Sequence, residues 1–323
     1  MTAPIPYVRD IEVEPGRVDR LSPLIRRVVA ANPGKFTFTG TGTYLVGRGS
    51  VAVIDPGPDL PAHLDAVLGA LDPGEHVASI VVTHTHADHS GGVPALQDRT
   101  GAPTYGFGPH GPVAGDDPDD RVVFGDPEAD GPETLPNPDA DAHREGVDTT
   151  FVPDHRLADG EIVAGDGWTL EAVHTPGHTS NHLCFALAEE GVLFTGDHVM
   201  GWSTSVISPP DGDLVAFMAS LQRLLDRRDA VYWPTHGPAV TAPRALVSAY
   251  LDHRRQRSAQ ILQALGDGPA TIAELVPRIY TDVAKTLWKP AAASMYAHLL
   301  ALSDDGRIVT DGERRRTSRY RLA

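Results

Sequence analysis

The run Ser79-Ile-Val-Val-Thr83 reads as a buried β-branched strand, and it leads straight into His84-Thr-His-Ala-Asp-His89. Three imidazoles and a carboxylate within six residues, tied to a strand end, restrict this chain more than any other feature. From such a strand-to-loop turn His84 and His86 point the same way, while Asp88 and His89 address a second point close by. The donors are nitrogen and oxygen without thiolate, which suits zinc and also admits manganese or iron. Further candidate ligands follow in order: His178 in Thr175-Pro-Gly-His-Thr-Ser-Asn181, Asp197 in Phe194-Thr-Gly-Asp197, and His236 in Pro234-Thr-His-Gly237. Each comes just after an expected strand and beside a glycine, where side chains can converge at a sheet end. Singly each reads as a turn residue; as an ordered set they read as metal ligands.

The elements around these motifs alternate. Strands are expected over 43–47, 50–55, 79–83, 161–164, 169–174, 182–188, 192–195 and 230–233. A helix over 61–71 has Pro61 in its tolerant first turn and Leu64, Val67, Leu68 and Leu71 on one face. Gly91-Gly92 opens a short helix over 93–98. A helix over 213–225 has Asp213 as N-cap and Leu214, Phe217, Met218, Leu221, Leu224 and Leu225 as its apolar stripe. Strands followed by helices, twice over, suggest an α/β fold of two sheets, each covered by helices. A long helix over 243–265 then leads into a smaller unit. There Thr271 and Glu274 form a capping box, a helix over 290–303 starts with Pro290 at N1, and 307–310 with 317–322 form a hairpin about a turn at Asp311-Gly312. Three helices and a hairpin resemble a winged helix. The expected division is a catalytic unit over 1–253 and a winged-helix-like unit over 254–323.

Charge is unevenly spread. The net charge is −16, yet residues 116–148 alone carry twelve acids and two arginines, within an acidic, Pro- and Gly-rich stretch over 108–150 that reads as a weakly ordered surface insertion. Residues 254–323 carry twelve Lys and Arg against seven acids, so that end remains open to an anionic partner. No run of about 18 apolar residues is present, so no membrane span is expected. The start of the chain has no basic and apolar secretory pattern, and the single cysteine, Cys184, excludes a disulfide framework; a cytoplasmic protein is expected. Cys184 reads as a small buried hydrophobe and His174 as a strand residue satisfied in the core.

Together, His84-x-His86-x-Asp88-His89, His178, Asp197 and His236 resemble the metal set of the metallo-β-lactamase superfamily, over residues 35–253. The resemblance implies an αββα sandwich with its site at one sheet edge. It assigns His84, His86 and His178 to a first metal, Asp88, His89 and His236 to a second, and Asp197 to a bridge between them. Asp55, ending Val53-Ile-Asp-Pro-Gly57, resembles the supporting aspartate that orients a ligand histidine. Two zinc ions, or manganese or iron, are the implied cofactors, with a hydroxide held between them as nucleophile. Asp88 is then a catalytic candidate for guiding the proton. His182 is a second one, as donor to the oxyanion or leaving group, or else a packed histidine behind a ligand.

Within the superfamily, the bridging Asp197 and the missing secretory pattern argue against antibiotic hydrolysis. The step of only 39 positions from Asp197 to His236 leaves no room for the insertion of the β-CASP nucleases. Gly196-Asp-His-Val-Met-Gly201, Trp233-Pro-Thr-His-Gly-Pro238 and the helix from Tyr250 to Ile261 resemble β-lactamase-like proteins typified by an endoribonuclease of single-stranded RNA. Some fungal polyketide thioesterases are similar in the same regions. Two substrates are therefore expected: single-stranded RNA, gripped by basic residues near Arg254–Arg257 and Arg314–Arg321, or a small-molecule thioester or ester. A nucleic-acid-binding regulator is disfavoured, because Pro290-Ala-Ala-Ala-Ser-Met-Tyr-Ala-His-Leu299 offers no side chain that reads bases. Packing, or assembly into a homodimer, is the favoured role of that unit.

Overall fold

The computed structural model describes residues 5–113, 122 and 146–323. Two sheets stack face to face. The first has the order β1 (Val18–Arg20), β2 (Ile25–Val29), β3 (Gly42–Val46), β4 (Ser50–Ile54), β5 (His76–Val81), β6 (Thr104–Gly106) and β7 (His155–Arg156). It is antiparallel from β1 to β4 and parallel from β4 to β7. The second has the order β12 (Val231–Pro234), β11 (Val192–Gly196), β10 (Leu183–Leu187), β9 (Trp168–His174) and β8 (Ile162–Gly165), with β12 parallel to β11 and the rest antiparallel.

Strands β3, β10 and β11 are buried at every residue, as mostly apolar strands are when both faces are covered. Tyr44, Ile54 and Val81 of the first sheet meet Leu170, Phe185 and Phe194 of the second in a core between the layers. Helices α1 (Pro61–Gly69) and α3 (Val93–Thr100) cover the outer face of the first sheet, burying Leu64, Val67 and Leu96 against Val51 and Ile80. The very short helix α2 (Ala87–Ser90) lies within the histidine cluster. Helices α4 (Leu214–Leu225) and α5 (Pro243–Gly266) cover the second sheet. Asp213 caps α4 by accepting the Ala216 N–H at 2.8 Å, and Leu214, Phe217, Leu221 and Leu224 are its buried stripe. The layers are therefore helix, sheet, sheet, helix.

The second half of α5, α6 (Ile272–Ile279), α7 (Trp288–Asp304) and the hairpin β13 (Ile308–Thr310)–β14 (Tyr320–Leu322) build the smaller unit around Ile261, Leu275, Met295 and Tyr320. The Thr271–Glu274 capping box is present at α6. The expected division at 253/254 falls inside α5, whose first half packs in the core beside the second sheet and whose second half packs in the winged unit. No helix among the described residues is long and apolar enough to cross a membrane.

Several elements differ from the sequence reading. Strands β1, β2, β6 and β7 were not expected. In β2 the pair Arg26-Arg27 breaks the apolar run, yet Arg26 is fully buried, donating to the carbonyls of Ala70 at 2.9 Å and Gly47 at 3.0 Å and pairing with Glu75. Strands β6 and β7 have only three and two residues, too few to show a period. Helix α7 starts at Trp288, so Pro290 lies at its third residue and not its first; it remains within the turn that needs no backbone donor. The hairpin closes with Thr310 opposite Tyr320, leaving a long loop over 311–319 in place of a tight turn at Asp311-Gly312. The interior of the acidic stretch, 114–121 and 123–145, lies outside the described residues, and with it the expectation of weak order. Its C-terminal end is placed: Gly146 accepts the Ala87 N–H and the Asp148 N–H donates to the Thr85 carbonyl, alongside the histidine cluster.

Truncating a stripe residue of α4 tests this packing. Leu221→Ala is expected to cost about 2–5 kcal/mol, and Val215→Ala on the exposed face no more than about 0.5, as read by urea denaturation.

Candidate metal centre

All seven expected ligands come to one end of the sandwich because β5, β9, β11 and β12 end there. The chain leaves β5 through Val82 and Thr83 into the cluster, and the Leu183 N–H of β10 donates to the Thr83 carbonyl at 2.8 Å, tying the two sheets together at this point. His178 lies in the turn from β9 to β10, Asp197 follows β11 and His236 follows β12. Two glycines permit the approach. Gly196 has φ +48 and faces the His182 ring so closely that a Cβ would stand 2.6 Å from its Nε2, and Gly237, at φ +86, leaves room for the Trp202 ring.

The donor atoms fall into overlapping groups. His86 Nδ1 is 2.9 Å from His84 Nε2 and 3.1 Å from His178 Nε2. Asp88 Oδ2 is 3.4 Å from His89 Nε2 and 3.2 Å from His236 Nε2. Asp197 stands between, with Oδ1 3.6 Å from His89 and 3.5 Å from His236, and Oδ2 3.9 Å from His178. In the groups His84–His86–His178, His84–His89–Asp197 and Asp88–His89–His236 the ligand atoms lie within 4.8 Å of one another.

Hydrogen bonds behind these atoms fix what they present. The Thr83 hydroxyl donates to Asp55 Oδ2 at 2.8 Å, so it accepts from His84 Nδ1 at 3.0 Å. His89 Nδ1 donates to Asp55 Oδ2 at 2.9 Å, His178 Nδ1 to the Val206 carbonyl at 2.7 Å, and His236 Nδ1 to the Gly40 carbonyl at 3.2 Å. In the neutral form that a metal needs, each of these four rings turns a bare Nε2 inward. One proton on His86 Nδ1 cannot serve both His84 and His178, and the buried His89 Nε2 and Asp197 Oδ1 have no hydrogen-bond partner among the described residues. A cluster of lone pairs and carboxylates held this way fits two divalent cations. Burial, reinforced by neighbouring histidines, also pushes His84 and His86 well down, favouring the neutral form a metal needs. At His236 burial acts in the same direction, but Asp197 and Asp88 outweigh it and draw the group up to about 10.

Asp55 sits at the end of β4 in a left-handed conformation, φ +51. Its carboxylate accepts from the Thr83 N–H, the Thr83 hydroxyl, His89 and the Thr235 hydroxyl. His182 is fully buried behind Asp197: its Nε2 accepts the Asp197 N–H at 3.2 Å and its Nδ1 meets the Thr175 hydroxyl at 2.9 Å, so both nitrogens are engaged within the fold. Cys184 is buried beside Thr175, and burial pushes its thiol up to about 12. His174 is not a core residue; it is half-buried, stacked on Phe107 with ring centroids 4.2 Å apart and bonded to the Ser180 carbonyl.

Several contributors escaped the sequence reading because their partners are distant in the chain. The Thr41 hydroxyl donates to Asp88 at 3.0 Å, and Asn32 holds Thr41. Asn181 donates to Thr85 at 2.8 Å and to the carbonyls of Gly108 and Pro109, joining three loops around His178. His63 is bonded to the Thr43 hydroxyl. Phe38 and Trp202, both half-buried, stack with centroids 4.7 Å apart, and Trp202 lies against Gly237 next to His236. Only Asn181 stood within a motif already singled out.

Comparison with known proteins gives the same architecture. Residues 37–236 match the family model described as the metallo-beta-lactamase superfamily, and residues 271–316 match the beta-lactamase associated winged helix domain. A beta-lactamase-like protein 2 homolog from Drosophila melanogaster is 32% identical, covering 90% of this chain and 91% of its own. An atrochrysone carboxyl ACP thioesterase from Aspergillus novofumigatus is also 32% identical, over 82% of this chain and 73% of its own. Among solved structures, a beta-lactamase domain protein from Burkholderia ambifaria superposes with a TM-score of 0.74 at 19% identity, over 97% of this chain and 96% of that one.

Two substitutions test the centre. Asp197→Ala should lower the metal content from about two per chain, as read by elemental analysis. Asp55→Asn should weaken metal affinity about 10–100-fold in a competition titration with a chelator.

Proposed function

The chain belongs to the metallo-β-lactamase superfamily, and from that membership we propose that it is a dinuclear hydrolase of a small-molecule thioester or ester, with zinc as the best-fitting metal. When bound, two divalent cations lower the pKa of water towards about 7 and polarise a carbonyl. His84, His86 and His178 would hold one, Asp88, His89 and His236 the other, with Asp197 shared. Asp88 is the most open of the carboxylates here, its side chain 20% exposed against 5% for Asp197. With Thr41 donating to it, it would pass a proton to the leaving group. His182 acts as a positioning residue, holding the backbone of Asp197 and keeping its own nitrogens out of the reaction.

The choice of substrate rests on the pairing of the wing arginines. Of the five wing arginines expected to grip RNA phosphates, four face a carboxylate: Arg314 pairs with Asp304, Arg315 with Glu313 at 2.8 Å, Arg319 with Glu274 at 2.9 Å and Arg321 with Asp311 at 3.3 Å, while Arg316 donates to the Pro209 carbonyl. Exposed pairs of this kind add little stability, but they cancel the basic strip that a polyanion would follow. Arg254 is buried and donates to the Ser205 carbonyl, out of reach of a polymer backbone. Beside the metal ligands stands an aromatic platform instead, the stacked Phe38 and Trp202, suited to the apolar body of an acyl group. The naming of relatives as thioesterases agrees with this reading.

A panel of acyl thioesters and a fluorescent single-stranded RNA, each with and without chelator, separates the two substrates. Turnover of a thioester that chelator abolishes and zinc restores, with RNA intact, is expected. Metal-dependent cleavage of RNA with thioesters untouched would overturn the proposal. Trp202→Ala should raise KM for a bulky acyl group about tenfold while changing kcat less, as measured by steady-state kinetics.

A further inference from the structure

We propose that the junction of α5, α6 and α7 forms an anion site, taking a single phosphate group between Arg254, Arg257, His253 and His298. Helical spacing puts His253, Arg254 and Arg257 near one another on α5, and His298 of α7 closes the group through its Nδ1, 2.9 Å from the Ser258 hydroxyl. Arg254 lies over the Phe217 ring with Cζ 5.3 Å from the centroid, and Arg257 over the Tyr280 ring at 3.9 Å, so aromatic faces fix both guanidiniums. Main-chain acceptors take part of each: Arg254 donates to Ser205 and Arg257 to Ile279 at 2.8 Å.

What remains is a set of buried nitrogens that all seek a partner. Arg254 Nε, Arg257 Nε, His253 Nδ1 and His298 Nε2 have none among the described residues. Neither guanidinium lies within 4.0 Å of a carboxylate there, although almost every other buried or wing arginine described above has an acid beside it. Arg254 and His298 are almost wholly inaccessible, 3% and 0% exposed. One buried and one partly buried positive charge with no carboxylate in contact, Asp282 acting on Arg257 only from a distance, are costly, and the histidines yield to them: burial and the arginines push His253 down to about 4 and His298 well down. A phosphate carries more than one negative charge at neutral pH and three acceptor oxygens, which matches two guanidiniums and several donors better than one carboxylate does.

The site also reaches the metal centre. The Ser205 carbonyl held by Arg254 belongs to the segment from Asp197 to Val206, whose Ser205 hydroxyl donates to the carbonyls of Asp197 and His198 and whose Val206 carbonyl holds His178. The phosphate is either a free ion or a group carried on a larger ligand.

Calorimetric titration of the metal-replete full chain with inorganic phosphate, against chloride at matched ionic strength, tests the site. Saturable binding is expected, weakened about ten- to a hundredfold in Arg257→Gln. Arg257 is only partly buried, and His253→Gln supplies a second variant with the same expected direction. Phosphate held by the metals would be indifferent to both changes. Absence of binding, or an affinity unaltered in both variants, would overturn the site. Phenyl phosphate in place of the inorganic ion distinguishes the sources: competition between them identifies an ester-borne phosphate, and its exclusion identifies the free ion. Because the readout is binding and not turnover, failure here leaves the hydrolase reading separately testable.

Discussion

The Asp55 carboxylate is the point on which the site is assembled. It ends β4, accepts twice from Thr83 at the end of β5, takes the hydroxyl of Thr235 beyond β12, and orients His89. One side chain thus joins both sheets to one metal ligand, and Thr83 passes the constraint on to His84. Its left-handed backbone is unusual outside glycine and costs energy, though aspartate tolerates it better than most residues. Four hydrogen bonds to a buried carboxylate offset that cost. The local strain and the metal geometry are therefore parts of one arrangement.

The ligands were legible because coordination chemistry restricts residue type and spacing so tightly. His84 to His89 stands out in the linear sequence, and the glycines beside His178, Asp197 and His236 mark sheet ends. The helices of the sandwich were legible from their stripes, as the Asp213 cap and the buried face of α4 illustrate. Strand β2 was not, because a buried arginine reads as solvent-facing until its acceptors Ala70, Gly47 and Glu75 are known. The same holds for Asn181 and Thr41, whose importance comes from partners tens of residues away.

Charge was the most misleading signal. A run such as Arg314-Arg-Arg316 looks like a phosphate grip, yet the fold brings Asp304, Glu313 and Glu274 to the wing and neutralises most of it. On α5, by contrast, Arg254 and Arg257, also expected to grip phosphates, are drawn under aromatic rings and bonded to main-chain carbonyls, with no carboxylate in contact among the described residues. Local composition counts charges, whereas the three-dimensional arrangement decides which of them are still available.

The continuity of α5 has a consequence for how the protein is made. Its first half supplies Leu246, Val247, Tyr250 and Leu251 to the core beside the second sheet, and Ala297 of α7 joins the same core. A chain emerging from a ribosome therefore exposes that core until residues far beyond the last metal ligand have appeared. Every ligand is synthesised by residue 236, but the layer covering the second sheet is completed by the first half of α5, with Ala297 of α7 packed against it. The first half of α5 is thus a late-arriving part of the sandwich, and the same helix, once made, carries the chain into the winged unit.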